Sequence, residues 1–268
     1  MIYQVNGHPT YAYTGGKTLD AAKPTVVFIH GVLNDHSVWI LQSRWFANHG
    51  WNVLAIDLPG HCRSAGAPPA TVEDAARFVV ALLDAAGVEK AALVGHSFGS
   101  LIALETATRA PDQVSHIALV GTAYPMAVSP ALLESSLNTP MRAIDMVNSF
   151  SHSMLAPPPS SLGPGTWLYG GSRALMRRVL ASNREVNVFH VGFNACNDYA
   201  NGEAAMAAVK CPVLFLLGAA DQMTPPRAAK ALQAKAVGAK VVTVQAGHAL
   251  MSEAPDAVLF ALKDFLGA

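Results

Sequence analysis

Three residues with complementary chemistry each directly follow a short apolar run of this chain: Ser97, Asp221 and His248. Ser97 lies in Gly95-His96-Ser97-Phe98-Gly99, with Val94 ending the run before it and helix-period residues after it. In a G-x-S-x-G segment between a strand and a helix, the glycines leave room for a sharp turn. The serine is then held in a strained conformation with its oxygen exposed, and the helix N-terminus points free N–H groups at a developing oxyanion. A serine hydroxyl is nearly inert at neutral pH and needs an imidazole to take its proton. The imidazole in turn needs a carboxylate to fix its tautomer and stabilise its charged form. The run 213–217 leads through Gly218-Ala219-Ala220 to Asp221, and the run 241–245 leads through Ala246-Gly247 to His248. Singly, each residue has a plainer reading: a chance G-x-S-x-G, a turn aspartate, a helix-capping histidine. Together they supply nucleophile, acid and base past three separate strands. Cys62 is a weaker rival nucleophile because it lacks an elbow.

These residues need a sheet whose strands end side by side. Apolar, β-branched runs at 25–29, 53–56, 91–94, 117–120, 213–217 and 241–245 alternate with helix-period stretches near 37–49, 72–86, 98–109, 225–236 and 255–266. Most of the runs are continuously apolar, which suits a parallel sheet covered on both faces. Strand–helix alternation of this kind predicts an α/β fold. Thr71 with Asp74 reads as a capping box, and Thr224 before Pro225 as an N-cap with proline at N1. Segments 2–5 and 10–13, split by Asn6-Gly7, predict an antiparallel hairpin at the sheet edge. The rhythm breaks between about 124 and 203, a stretch with seven of the 17 prolines, Pro157-Pro158-Pro159 among them, and five of the nine methionines. A helical insertion within one sheet accounts for it.

Two further segments extend the pattern. Phe28-Ile29-His30-Gly31-Val32 ends the first parallel run, and Asp57-Leu58-Pro59-Gly60-His61-Cys62-Arg63-Ser64 ends the second. With the Ser, Asp, His order and the elbow, they resemble the motif blocks of the α/β-hydrolase superfamily. The second block is similar to D-x-P-G-x-G-x-S, with Cys62 where the family has glycine; a positive φ there would strain cysteine slightly. The resemblance covers about 25–121 and 211–266. It implies an α/β-hydrolase core over 1–123 and 204–268 with a helical cap over 124–203, and a Ser97–Asp221–His248 triad. It also implies an oxyanion hole from the backbone N–H groups of Val32 and Phe98. His30 then reads as structural. A serine nucleophile argues against haloalkane dehalogenases and epoxide hydrolases. Ala249 after His248 and His96 before Ser97 depart from the pattern common in carbon–carbon bond hydrolases. That class and cofactor-free perhydrolases remain alternatives, as does a ligand-sensing protein built on a hydrolase core.

Composition bounds the partner. Eighteen basic residues balance eighteen acidic ones, and charged residues are 13% of the chain, about half the usual share. Neither nucleic acid nor an anionic membrane is expected as a partner. No run is long enough to span a bilayer and no signal peptide is evident. Cys62, Cys196 and Cys211 form no CxxC pair, and the histidines show no metal-ligand spacing. The expectation is a cytoplasmic enzyme without metal or cofactor, acting on a small or medium, largely apolar ester, thioester or lactone. The cap methionines suit either an apolar pocket or plain packing. Phe150, Trp167 and Tyr169 are pocket candidates, and Arg177-Arg178 is either a carboxylate anchor or a solvated helix face. Trp39, Trp45 and Trp51 offer either a homodimer surface or packing on the sheet.

Overall fold

The computed structural model describes residues 1–153 and 166–268; Met154, Pro164 and the Pro157-Pro158-Pro159 run lie outside the described residues. Eight strands, β1 (Ile2–Val5), β2 (His8–Tyr13), β3 (Thr25–Ile29), β4 (Asn52–Ile56), β5 (Ala91–His96), β6 (Val114–Val120), β7 (Val213–Gly218) and β8 (Lys240–Val244), form one sheet. Their spatial order is β1-β2-β4-β3-β5-β6-β7-β8. The β1–β2 hairpin is antiparallel and sits at the edge as expected, and every pairing from β4 to β8 is parallel. Every residue of β3, β4, β5 and β7 is buried, as continuous apolar runs require. The chain leaves β3 toward β4 on one side and later adds β5 on the other. A crevice therefore opens beyond the carboxyl ends of β3 and β5, where the order reverses.

Helices cover both faces: α1 (Ile40–Asn48), α2 (Val72–Ala85) and α3 (Phe98–Arg109) early in the chain, α9 (Lys230–Lys235), α10 (Leu250–Glu253) and α11 (Pro255–Leu266) late in it. On one face Phe28 packs between Trp39 and Phe46, with ring centroids 5.2 and 5.9 Å away. Trp45 and Trp51 flank Phe46 at 5.2 and 5.5 Å, so all three tryptophans belong to this packing layer. The other face is covered by α2, α3 and α9. Thr71 caps α2 through the Asp74 N–H at 3.0 Å, as its sequence suggests.

Between β6 and β7 run α4 (Pro130–Asn138), α5 (Pro140–Ser151), α6 (Leu168–Ser182), α7 (Val188–Asp198) and α8 (Gly202–Ala208), with no strand among the described residues. This is the expected helical insertion. Its predicted end at 203 falls inside α8, which packs on α3 and α9. A buried carboxylate, Glu105 of α3, fastens its exit by accepting from Tyr199 Oη at 2.8 Å and Asn201 Nδ2 at 3.0 Å.

Two predicted helices differ. The one at 37–49 begins as a 3₁₀ turn, His36–Trp39, because Asp35 accepts from Ser37 N at 2.9 Å and tightens the first turn. The one at 225–236 is a 3₁₀ turn, Pro226–Ala229, followed by α9. Thr224 does not cap it; Pro225 holds the cap position, and the Thr224 hydroxyl is drawn elsewhere. No helix of the described residues is long and apolar enough to cross a membrane.

Replacing Phe28 by alanine removes the ring that bridges Trp39 and Phe46. A loss of about 3–5 kcal/mol in unfolding free energy is expected, measured by urea denaturation against wild type.

Candidate active site

Ser97 is the junction between β5 and α3, with φ 53° and ψ −118°, a conformation that non-glycine residues rarely adopt. The neighbouring chain over-determines it. Ser97 N donates to Val120 O at 2.9 Å, and Ser100 Oγ donates to Ser97 O at 2.5 Å. A Cβ on Gly95 would lie 2.0 Å from Gly99 O, and one on Gly99 would lie 2.4 Å from Ile29 O. Only glycine at both positions lets β3, β5 and α3 meet this closely.

Asp221 and His248 arrive from the ends of β7 and β8. His248 Nδ1 lies 2.8 Å from Asp221 Oδ2, with both side chains buried. Asp221 Oδ1 accepts from Met223 N and Thr224 N, each at 2.8 Å, so the residue is a turn aspartate and a histidine partner at once. Burial pushes its carboxyl upward, but the His248 charge and the hydrogen bonds from His248 and Thr224 outweigh this and hold it at about 2. Thr224 Oγ1 lies 2.8 Å from Asp221 Oδ2, 2.9 Å from Gly121 O and 3.0 Å from His248 Nδ1. Ser97 Oγ makes no hydrogen bond to His248; such contacts commonly tighten only around substrate.

The Val32 and Phe98 N–H groups donate to no protein partner among the described residues. Phe98 opens α3, where the first amides have no carbonyl within the helix. His30 shapes the other donor's loop: Nδ1–H donates to Gly31 O at 2.8 Å and Nε2 accepts from Leu58 N at 3.1 Å. Burial keeps its ring neutral.

Two cavities of about 250 and 240 Å³ converge here, and both are lined by Ser97, His248, Val32, Phe193 and Met223. The first extends along Leu41, Val147, Leu175, Met176 and Phe189; the second along Met126, Leu132, Met146 and Phe150. No Asp, Glu, Lys or Arg lines either one among the described residues.

A family model described as "alpha/beta hydrolase fold" matches residues 24–255. The chain belongs to the α/β-hydrolase family. It is 28% identical to a pimeloyl-[acyl-carrier protein] methyl ester esterase of Neisseria meningitidis serogroup A over 267 residues, 93% of this chain and 79% of that one. It is 38% identical over 111 residues, 41% of this chain, to the dihydrolipoyllysine-residue acetyltransferase component of the acetoin cleaving system of Cupriavidus necator. The match spans 28% of that protein and 33% of its Pseudomonas putida counterpart. The enol-lactonase of Burkholderia xenovorans LB400 superposes with a TM-score of 0.82 over 100% of both chains at 22% identity, which speaks to the fold.

In this α/β-hydrolase fold the sequence-predicted Ser97, Asp221, His248, Val32 and Phe98 all gather at one crevice. The other candidates divide. Trp167 lines the first cavity and Phe150 the second, while Tyr169 lines neither and stacks on Trp167 with centroids 5.8 Å apart. Arg178 reaches back to the core, donating to the buried Asp35 at 2.5 Å, and Arg177 is exposed. Cys62 has φ 44°, the positive value that glycine serves in the family pattern. Burial and the charges of Asp35 and Asp57 push its thiol up to about 12, so it carries no thiolate at neutral pH. Asp35, His36 and Asp57 bring potential ligand atoms within 4.8 Å of one another. Those atoms are engaged: Asp57 Oδ1 lies 2.7 Å from His36 Nδ1, and Asp35 takes Ser37 and Arg178. Sequence reading missed Thr224 as a site residue, although its place three residues after Asp221 is a turn signal. It also missed His96 as a partner of His248: its Nε2 donates to His248 O at 2.8 Å.

Burial, then the neighbouring His30 imidazole, hold His61 down at about 4, against an ordinary value of 6.5. Between those values the unfolded chain binds a proton that the folded one refuses, so stability falls as pH drops through that window. His61→Asn is expected to flatten the slope of unfolding free energy against pH between about 6.5 and 4 by up to about one proton. Denaturant melts across that range check it; an unchanged slope would refute the assignment.

Proposed function

We propose that this α/β hydrolase cleaves a small or medium, uncharged and largely apolar carboxylic ester through an acyl-enzyme. Ser97 acts as nucleophile, His248 as general base and acid, and Asp221 as the group that orients and stabilises the imidazole. The observation that carries this reading is the 2.8 Å contact between His248 Nδ1 and Asp221 Oδ2 beside a strained Ser97 in one cavity. With Nδ1–H donated to the carboxylate, Nε2 is the free base that faces the chemistry.

In the first half-reaction Ser97 Oγ bonds to the ester carbon while its proton passes to His248 Nε2. The carbonyl oxygen becomes an oxyanion, received by the Val32 and Phe98 N–H groups. As the C–O bond breaks, His248 returns the proton to the leaving alcohol. Water then repeats the sequence on the acyl-enzyme: His248 takes its proton, its oxygen bonds to the acyl carbon, and Ser97 leaves reprotonated. The insertion, residues 124–203, serves as the cap. Its Val147, Leu175, Met176 and Phe189 wall the first cavity, and the absence of charged lining among the described residues favours neutral, apolar groups. The similarity to a methyl ester esterase over 93% of this chain supports ester cleavage over other reactions of the same triad.

A fluorophosphonate probe should label wild type and leave Ser97→Ala unlabelled. A series of p-nitrophenyl esters should show turnover that Ser97→Ala lowers by several orders of magnitude, while Cys62→Ser stays close to wild type. Near wild-type esterase activity in Ser97→Ala would sink the assignment. Stoichiometric binding of ester-like ligands without turnover would instead indicate a ligand-sensing protein.

A further inference from the structure

The loop that carries His248 is gripped at three successive residues. Gly247 N–H donates to Glu253 Oε2 at 3.1 Å, His248 O accepts from His96 at 2.8 Å, and Ala249 N–H donates to Ser151 O at 2.9 Å. Ser151 is the last residue of α5, in the insertion. The Glu253 carboxylate also binds that same end of the insertion. It accepts from Ser153 N at 3.0 Å through Oε1 and 3.2 Å through Oε2, and from Ser153 Oγ at 2.5 Å. The insertion's backbone rests directly on the loop, since a Cβ on Gly247 would lie 2.7 Å from Ser153 N and 2.8 Å from Ser151 O.

We infer that Glu253 is a positioning residue that locks the His248 loop to the end of α5, making the placement of the base depend on the placement of the insertion. This rests on the reading of His248 as the base. Asp221 holds the imidazole at one nitrogen, and a ring held there alone can still swing about that contact. Where Nε2 points is then set by the backbone of residues 247–249. Hydrogen bonds to a carboxylate are roughly twice as strong as neutral ones, and one carboxylate here takes donors from both sides of the seam. Misplacing a catalytic group by about 1 Å costs up to about 100-fold in rate.

The test combines steady-state kinetics on a short p-nitrophenyl ester with the low-field proton resonance of the His248 Nδ1–H. Glu253→Ala is expected to lower kcat by about 10- to 100-fold with KM nearly unchanged, and to broaden that resonance. Glu253→Gln, which keeps an oxygen toward Gly247 N–H, should recover most of the loss, and Ser153→Ala should lower kcat in the same direction but less. Wild-type kcat and an unaltered resonance in Glu253→Ala would overturn the proposal, as would a Glu253→Gln variant no better than alanine. If Glu253→Ala fails to fold, wild-type kinetics and resonance in Ser153→Ala would overturn it. His248→Ala separates the two readings. If it keeps activity, the base assignment fails; if it is inactive while Glu253→Ala matches wild type, only the coupling fails.

Discussion

The close approach of α3 to the carboxyl ends of β3 and β5 is the constraint on which the rest of the site depends. Gly99 lies where any side chain would strike the carbonyl of Ile29, and Gly95 where it would strike Gly99 itself. With both contacts allowed, the chain turns from strand to helix within one residue, and that residue is Ser97. Its left-handed backbone is costly in isolation, of the order of 1–3 kcal/mol. It persists because β6 on one side and Ser100 on the other hold its amide and carbonyl. The same approach brings the first amide of α3 beside the loop that carries Val32, so one packing contact serves the serine and both candidate oxyanion donors.

Charge around the crevice is managed by burial and by donors acting together. Asp221 is buried and stays ionised because its two oxygens meet two backbone amides, the Thr224 hydroxyl and the imidazole. The other histidines nearby answer burial in the opposite way. His96 is pushed down to about 3, chiefly by desolvation, and spends its Nε2–H on the His248 carbonyl. A neutral His96 4.6 Å from the His248 ring adds no competing positive charge where the proposed reaction forms an imidazolium.

The insertion does more than cover the crevice. Among its hydrogen bonds to the core are those to Asp35 and the 57–64 loop, made by Arg178, Ser182 and Asn183, and those to the His248 loop, made from the end of α5. Both lie at strand ends that shape the site. Cavity walls, the Val32 loop and the His248 loop therefore share supports, and the apolar lining can be altered without touching the polar seams.

The sequence by itself determined the sheet, because continuous apolar runs separated by helix-period segments leave few arrangements other than parallel strands with covered faces. It also singled out Ser97, Asp221 and His248 as candidates, because each follows a strand and the proposed chemistry of each needs the others. Helix ends were less legible: local signals gave Thr224 to a helix cap, and the fold spends its hydroxyl on Asp221 and His248 instead. Nothing in local spacing pairs Ser153 with Glu253 or His96 with His248, since these contacts join residues 100 and 152 positions apart. Which aromatics line the cavities was likewise decided by how the insertion packs, which placed Trp167 and Phe150 at the walls and Tyr169 away from them. Patterns along a chain record what each strand and helix must bury. Contacts between distant segments depend on how those elements dock, and only the tertiary structure fixes that.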